Sequence, residues 1–145
     1  MARDRLVRFL LDTNILSELR KGQRADPQVV RWADAIDAVE FGTSVLVIGE
    51  MRRGIELARR RDQLQAARLE QYLERTRARF DGRILPVTEP IAQLWGRLGV
   101  PDRLPQADGI LAATAIVHDL VLVTRNVRDV ARSGAKLLNP FVSPA

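Results

Sequence analysis

Short apolar runs alternate along this chain with longer stretches whose apolar residues recur every three or four positions, and this alternation restricts the fold more than any other feature. Residues 7–11, 39–43, 83–87, 121–124 and 136–138 read as strands. The proline within the third run, Pro86, places that strand at a sheet edge. Strands that alternate with helices pair in parallel through right-handed crossovers, so the expected class is α/β. At 145 residues the chain is expected to be one domain over positions 1–145, with a core large enough to fold without crosslinks.

The helical stretches carry their own signals. Ile15, Leu16 and Leu19 recur at helical spacing up to Lys21-Gly22, and Pro27 opens a second helix bearing Val29, Val30, Ala33 and Ile36. Thr43-Ser44 caps a helix over 45–57 with Val47, Met51 and Ile55 as its core stripe. The strongly charged stretch 59–79 is expected to be an amphipathic helix with Leu64, Ala67 or Arg68, and Tyr72 on its apolar side. Thr88 caps a helix carrying Ile91, Leu94, Trp95 and Leu98; Trp95 reads as core in preference to a dimer contact. After a loop over 99–105, Asp108 starts a buried helix over 109–119.

Composition removes several chemistries. The chain has no cysteine and one histidine, His118, so disulfides, thiolate catalysis and zinc sites built from paired His or Cys are excluded, and any metal would be held by oxygen. His118 falls far from the expected site and reads as structural. The apolar run after Arg3, Arg5 and Arg8 is shorter than a signal-peptide core, and no membrane-length segment follows, so a soluble, cytoplasmic protein is expected. The formal charge is +5, with Lys21 and Lys136 the only lysines. Arginine suits phosphate, but arginine richness also follows from genomic base composition, so the charge permits a nucleic-acid substrate without establishing one.

In a parallel sheet the carboxyl ends of all strands share one rim, and crossover helices begin on it. Asp12 follows the first strand and Asn126 the fourth, while Glu50 lies in the first two turns of its helix and Asp108 at the start of another. Topology therefore gathers Asp12, Glu50 and Asp108, with Asn126 and Asp129 beside them. Clustered carboxylates repel unless a cation lies between them, and hard oxygen donors select Mg²⁺ or Mn²⁺. Asp12 and Asp108 are equally readable as helix caps, and Asn126 as a turn residue.

Four segments in order, Leu10-Leu11-Asp12-Thr13-Asn14-Ile15-Leu16-Ser17-Glu18-Leu19, Ser44 through Gly54, Ala107 through Ala115, and Val123-Thr124-Arg125-Asn126 through Phe141, resemble the PIN-domain nucleases. The likeness is nearest to the VapC toxins of VapBC toxin–antitoxin pairs and their FitB-like relatives. It implies a three-layer α/β/α PIN-like fold with a central parallel sheet of four to five strands. It also implies a Mg²⁺- or Mn²⁺-dependent endoribonuclease that acts as the toxin of such a pair. Asp12, Glu50 and Asp108 match the family's three acidic catalytic and metal positions. Asn126 stands where many members have a fourth acid, so either Asn126 or Asp129 completes the metal site. Thr13 and Thr124 match small hydroxyl positions that support the carboxylates. The implied partners are RNA, a VapB-like antitoxin and a second copy in a homodimer, with Ile15, Leu16 and Leu19 and the following helix as the antitoxin groove. The rival readings are a stand-alone RNA-processing nuclease and a non-catalytic RNA-binding module. A haloacid-dehalogenase phosphatase would want an aspartate where Asn14 stands, and a receiver domain an acidic pair that this chain lacks.

Overall fold

The structure is a computed structural model that describes residues 6–142. Strand β1, Phe9–Leu11, is buried along its whole length, as a strand with a neighbour on each side and helices above and below must be. It ends at Asp12, whose carboxylate accepts a hydrogen bond from the Thr13 backbone N–H at 2.7 Å and so starts helix α1, Thr13–Leu19. Helix α2, Pro27–Asp34, is begun in the same way by Asp26, which accepts from the Gln28 N–H with Pro27 in the first turn.

Strand β2, Phe41–Ser44, starts two residues later than the sequence pattern predicts. Asp37 accepts from the Val39 N–H and winds Ala38–Glu40 into a 3-10 turn first. Ser44 then caps α3, Val45–Arg59, and Asp62 caps α4, Gln63–Arg79, so the charged helix begins four residues later than expected. Strand β3 is Ile84–Leu85 and α5 is Glu89–Leu98; Thr88 occupies the cap position of α5 but makes no capping hydrogen bond. Helix α6, Gln106–His118, precedes β4, Val121–Val123; the short α7, Val127–Val130, precedes β5, Lys136–Leu138.

All strand pairs are parallel, in the order β3-β2-β1-β4-β5, which puts β3 at an edge as Pro86 predicts. The chain leaves β1 in one direction to reach β2 and β3, then returns across it to lay down β4 and β5. Right-handed crossovers in opposite directions place α1 to α4 on one face and α5 to α7 on the other, which gives the three-layer α/β/α arrangement. The reversal lies between β1 and β4, and there the carboxyl ends of the strands open a crevice.

The main core joins Leu10, Leu11, Ile15, Leu16, Val47, Leu111, Leu122 and Val123. Phe9, Trp32 and Phe41 pack at one end of it, with Phe9 and Trp32 edge to face at 5.4 Å. Gly42 permits a close approach within β2, since a Cβ there would lie 2.9 Å from Val7 Cγ1 and 3.2 Å from the Arg83 carbonyl oxygen. A second cluster of Ile55, Ala66 and Leu73 joins α3 to α4.

Three expectations about faces are corrected. Ile15 is fully buried in the main core and offers nothing to a partner, while Leu16, also almost fully buried, reaches an apolar groove that is bounded by α3 and α4 and not by the helix that follows α1. Leu64 is exposed, because α4 turns Ala66, Leu69 and Leu73 toward Ile55. Trp95 is partly exposed and not a core residue; its indole lies along α6, where a Cβ on Gly109 would come within 3.1 Å of it.

Candidate functional site

The crevice at the β1/β4 reversal is a cleft of about 420 Å³ lined by Asp12, Thr13, Asn14, Ser17, Glu18, Lys21, Glu50, Asp108, Arg125 and Asn126. Asp12 is almost fully buried, and its two carboxylate oxygens are held separately. Oδ1 accepts from the Thr13 N–H, while Oδ2 accepts from Thr124 Oγ1 at 2.7 Å and from Asn14 Nδ2 at 3.3 Å. Asp12 is therefore both the cap of α1 and the fixed centre of the cleft. Thr124 is buried after β4, so its hydroxyl ties the ends of β1 and β4 together.

Thr13 performs the same service for Glu50, its Oγ1 donating to Oε1 at 2.7 Å across the gap between α1 and α3. Glu50 is half-buried at the second turn of α3, as its place beside Val47 and Met51 predicts. Asp108 is also half-buried. It falls within the first turn of α6, where Pro105 holds the cap position, so its reading as a helix cap is corrected.

The carboxyl of Asp108 is pushed up to about 6, chiefly by burial and then by the negative charges of Asp12, Asp129 and Glu50. The Asn126 side chain partly offsets this. An amide lowers a carboxyl's pKa by donating to its charged form, so in this geometry Asn126 supports Asp108. Asp129 lies in α7 and outside the cleft lining, yet near enough to act on Asp108.

Among the described residues, no three acidic or histidine side chains converge tightly enough to enclose an ion as they stand. Two of the carboxylates are tied instead to hydroxyl donors, Asp12 to Thr124 and Glu50 to Thr13. The donor set still fits a hard divalent cation. It is all oxygen, it carries surplus negative charge that Asp108 registers, and each held carboxylate retains lone pairs. His118 is exposed at the end of α6 opposite the cleft.

Several residues of the cleft had no role assigned from sequence. Asn14 links Asp12 to the Arg125 N–H, which donates to Asn14 Oδ1 at 3.2 Å. Glu18 is buried, accepting from Lys21 Nζ at 2.9 Å and from the Asp26 N–H at 2.8 Å. Those two hydrogen bonds, ahead of the charges of Lys21 and Arg125, hold its carboxyl below the ordinary glutamate value. Spacing offered a signal: Asn14 and Glu18 occupy the helix that Asp12 caps.

Beside the cleft, and sharing Thr13 and Glu50 with it, runs a groove of about 250 Å³ between α1, α3 and α4. Leu16, Met51, Ile55, Leu69 and Tyr72 supply its apolar lining and Gly54 an open floor. No described helix is long and apolar enough to cross a membrane.

The sequence model of the PIN domain family matches residues 9–133. Toxin FitB of Neisseria gonorrhoeae is 31% identical over 140 residues, spanning 92% of this chain and 98% of the relative. A VapC ribonuclease of Sinorhizobium fredii is 30% identical over 140 residues, spanning 92% and 97%. Among solved structures, FitAB bound to a DNA fragment superposes with a TM-score of 0.84 at 28% identity, covering 94% of this chain and 98% of that one.

Proposed function

Because the chain belongs to the PIN domain family, we propose that it is the ribonuclease toxin of a toxin–antitoxin pair, hydrolysing RNA with Mg²⁺ or Mn²⁺. The observation that carries the nuclease reading is the convergence of Asp12, Glu50 and Asp108 on one cleft at the sheet's reversal point, with Asp108 pushed up to about 6 by burial and, after it, by its acidic neighbours. Such a site has more negative charge than its own residues neutralise, and an RNA phosphodiester adds more. Asp12, Asp108 and Glu50 would hold the ion, with Asp129 as the fourth acid and Asn126 orienting Asp108. A bound divalent cation supplies charge neutralisation at the phosphate and acidifies water into a nucleophile at neutral pH.

The protein's own part is orientation. Thr124 and the Thr13 N–H fix the Asp12 carboxylate, and the Thr13 hydroxyl fixes Glu50, so both have little freedom to lose when ion and substrate bind. Incubating the purified protein with single-stranded RNA is expected to give fragments with 5′-phosphate ends when Mn²⁺ or Mg²⁺ is added. Chelation is expected to stop the reaction. Cleavage that survives EDTA would sink the metal assignment, and no cleavage with either ion would sink the nuclease reading.

The antitoxin reading rests on the relatives, one of which is named a toxin and one of which was solved as a FitAB complex. In this chain the apolar groove between α1, α3 and α4 is the surface suited to it; it keeps Leu16 from the expected groove, but α3 and α4 bound it in place of Ile15, Leu19 and α2. A segment lying there would abut Thr13 and Glu50 and close the cleft. A Cβ added at Gly54 would meet nothing within 4 Å and Gly54 lines the groove, so Gly54→Trp is suited to obstruct it from its open side. Inhibition by the cognate antitoxin is expected to weaken at least about tenfold, ~1.4 kcal/mol, with RNA cleavage by the free toxin retained. Undiminished inhibition in a titration would place the antitoxin elsewhere. A homodimer and a cytoplasmic location complete this reading.

A further inference from the structure

Arg125 lies on the cleft rim directly after Thr124, and its guanidinium carbon stands 4.3 Å from the centre of the Phe141 ring. The ring is fixed in turn: the Phe141 N–H donates to Asn139 Oδ1 at 3.0 Å, and the side chain packs on the main core. The Arg125 backbone is fixed too, through Asn14, whose amide reaches Asp12. Two independent anchors thus hold an exposed cation at a set distance from the central carboxylate.

Among the described residues Arg125 makes no ion pair, whereas Lys21, the other cation lining the cleft, is engaged by Glu18. The guanidinium carbon sits over the ring, and the one hydrogen bond recorded for Arg125 is made by its backbone N–H, so its side-chain donors are available. A planar donor fork of this kind binds a phosphate with two parallel hydrogen bonds.

We propose that Arg125, held over the Phe141 ring, is the positioning residue that grips an RNA phosphate next to the one cleaved. The assignment rests on the ribonuclease reading and names a contact that reading lacks. Because the guanidinium is oriented before RNA arrives, little side-chain freedom is lost on binding. The contact is made in the ground state and the transition state alike, so it acts on KM and not on kcat.

The test measures binding of a fluorescent single-stranded RNA to cleavage-silenced Asp12→Asn protein over a series of salt concentrations, alone and with further substitutions. Adding Arg125→Ala is expected to weaken binding about tenfold and to reduce the slope of log affinity against log salt by about 0.7, the loss of one phosphate contact. Phe141→Leu should weaken binding less and leave the slope intact, because the charge remains but its orientation is lost. Arg125→Lys should likewise keep the slope and lose affinity. In the cleaving protein, Arg125→Ala should raise KM about tenfold with kcat nearly unchanged. A slope unmoved by Arg125→Ala overturns the proposal. If RNA is bound with the expected change in slope but never cleaved, the nuclease reading falls and the phosphate contact stands. If RNA is cleaved and the slope is unmoved, the contact alone falls.

Discussion

Asp12→Asn is expected to lower RNA cleavage by at least about 10²–10³-fold at saturating Mn²⁺, with the folded structure retained. Fold and function separate at this position because asparagine is as good a helix cap as aspartate. Its Oδ1 still accepts from the Thr13 N–H, so α1 keeps its start. The change falls on the other side, where Oδ2 now accepts from both Thr124 and Asn14. An amide NH₂ there faces two donors, and because the Thr124 oxygen already accepts from the Asn126 N–H and from Asn14 Nδ2, a hydrogen bond is left unmade at a cost of about 1–3 kcal/mol, which a folded domain can bear. What is lost is a full negative charge at the most buried acid of the cleft. Single-turnover rates with the circular dichroism melt of each protein decide the matter. Matching rates would remove Asp12 from the chemistry, and a collapsed melt would show its role to be structural.

Asp108→Asn is expected to abolish cleavage to a similar degree while making the protein more stable at neutral pH. The sign follows from Asp108 having its carboxyl raised from 3.8 to about 6 in the folded chain. An acid raised on folding keeps its proton in the native state through a window where the unfolded chain has already lost it. Stability therefore falls as pH rises from about 4 to about 6, and the full penalty is present above that. A gap of this size corresponds to about 3 kcal/mol, which solvent screening of a half-exposed group reduces to about 1–2 kcal/mol. The variant lacks the penalty, so in EDTA its Tm should exceed that of the wild type by about 3–6 °C at pH 7.5 and converge with it near pH 4. Mn²⁺ should raise the wild-type Tm and do less for the variant, since an ion bound only by the folded form stabilises it. A variant less stable than wild type at pH 7.5 in EDTA would contradict the placement of Asp108 among uncompensated acids.

Much of the site was legible because it depends on topology. Strand ends and helix starts can be read from Leu11-Asp12, Ser44-Val45 and Val123-Thr124, and a parallel sheet puts them all on one rim. Hence Asp12, Glu50 and Asp108 could be brought together without coordinates. Side-chain direction was less legible. The periodicity that marks Ile15, Leu16 and Leu19 as apolar does not say whether they face the core or a partner: Ile15 and Leu16 are buried in the core, and Leu19 is only partly buried. Helix α4 misled for a related reason: its many arginines dilute the apolar stripe, so Leu64 read as core although Ala66 and Leu73 fill that role. The start of α6 was misplaced because Asp108 is a better cap by type than Pro105. Contacts set by tertiary packing, such as Arg125 on Phe141 or Thr13 on Glu50, leave no periodic trace.

The hydrogen bond from Thr124 to Asp12 joins residues 112 positions apart, and that separation bears on when the protein becomes active during synthesis. Asp12 and Glu50 leave the ribosome early, and β1 can pair with β2 as soon as Ser44 has emerged. The other flank of β1 stays open until β4 is made. Until then Asp12 has lost its Thr124 donor, Asp108 has no docked neighbour, and the cleft has one wall. Contacts between segments so far apart form late and together. Translation must therefore pass position 124 before the carboxylates of the cleft are brought together, which delays completion of the proposed site beside the RNA that is still directing the protein's own assembly.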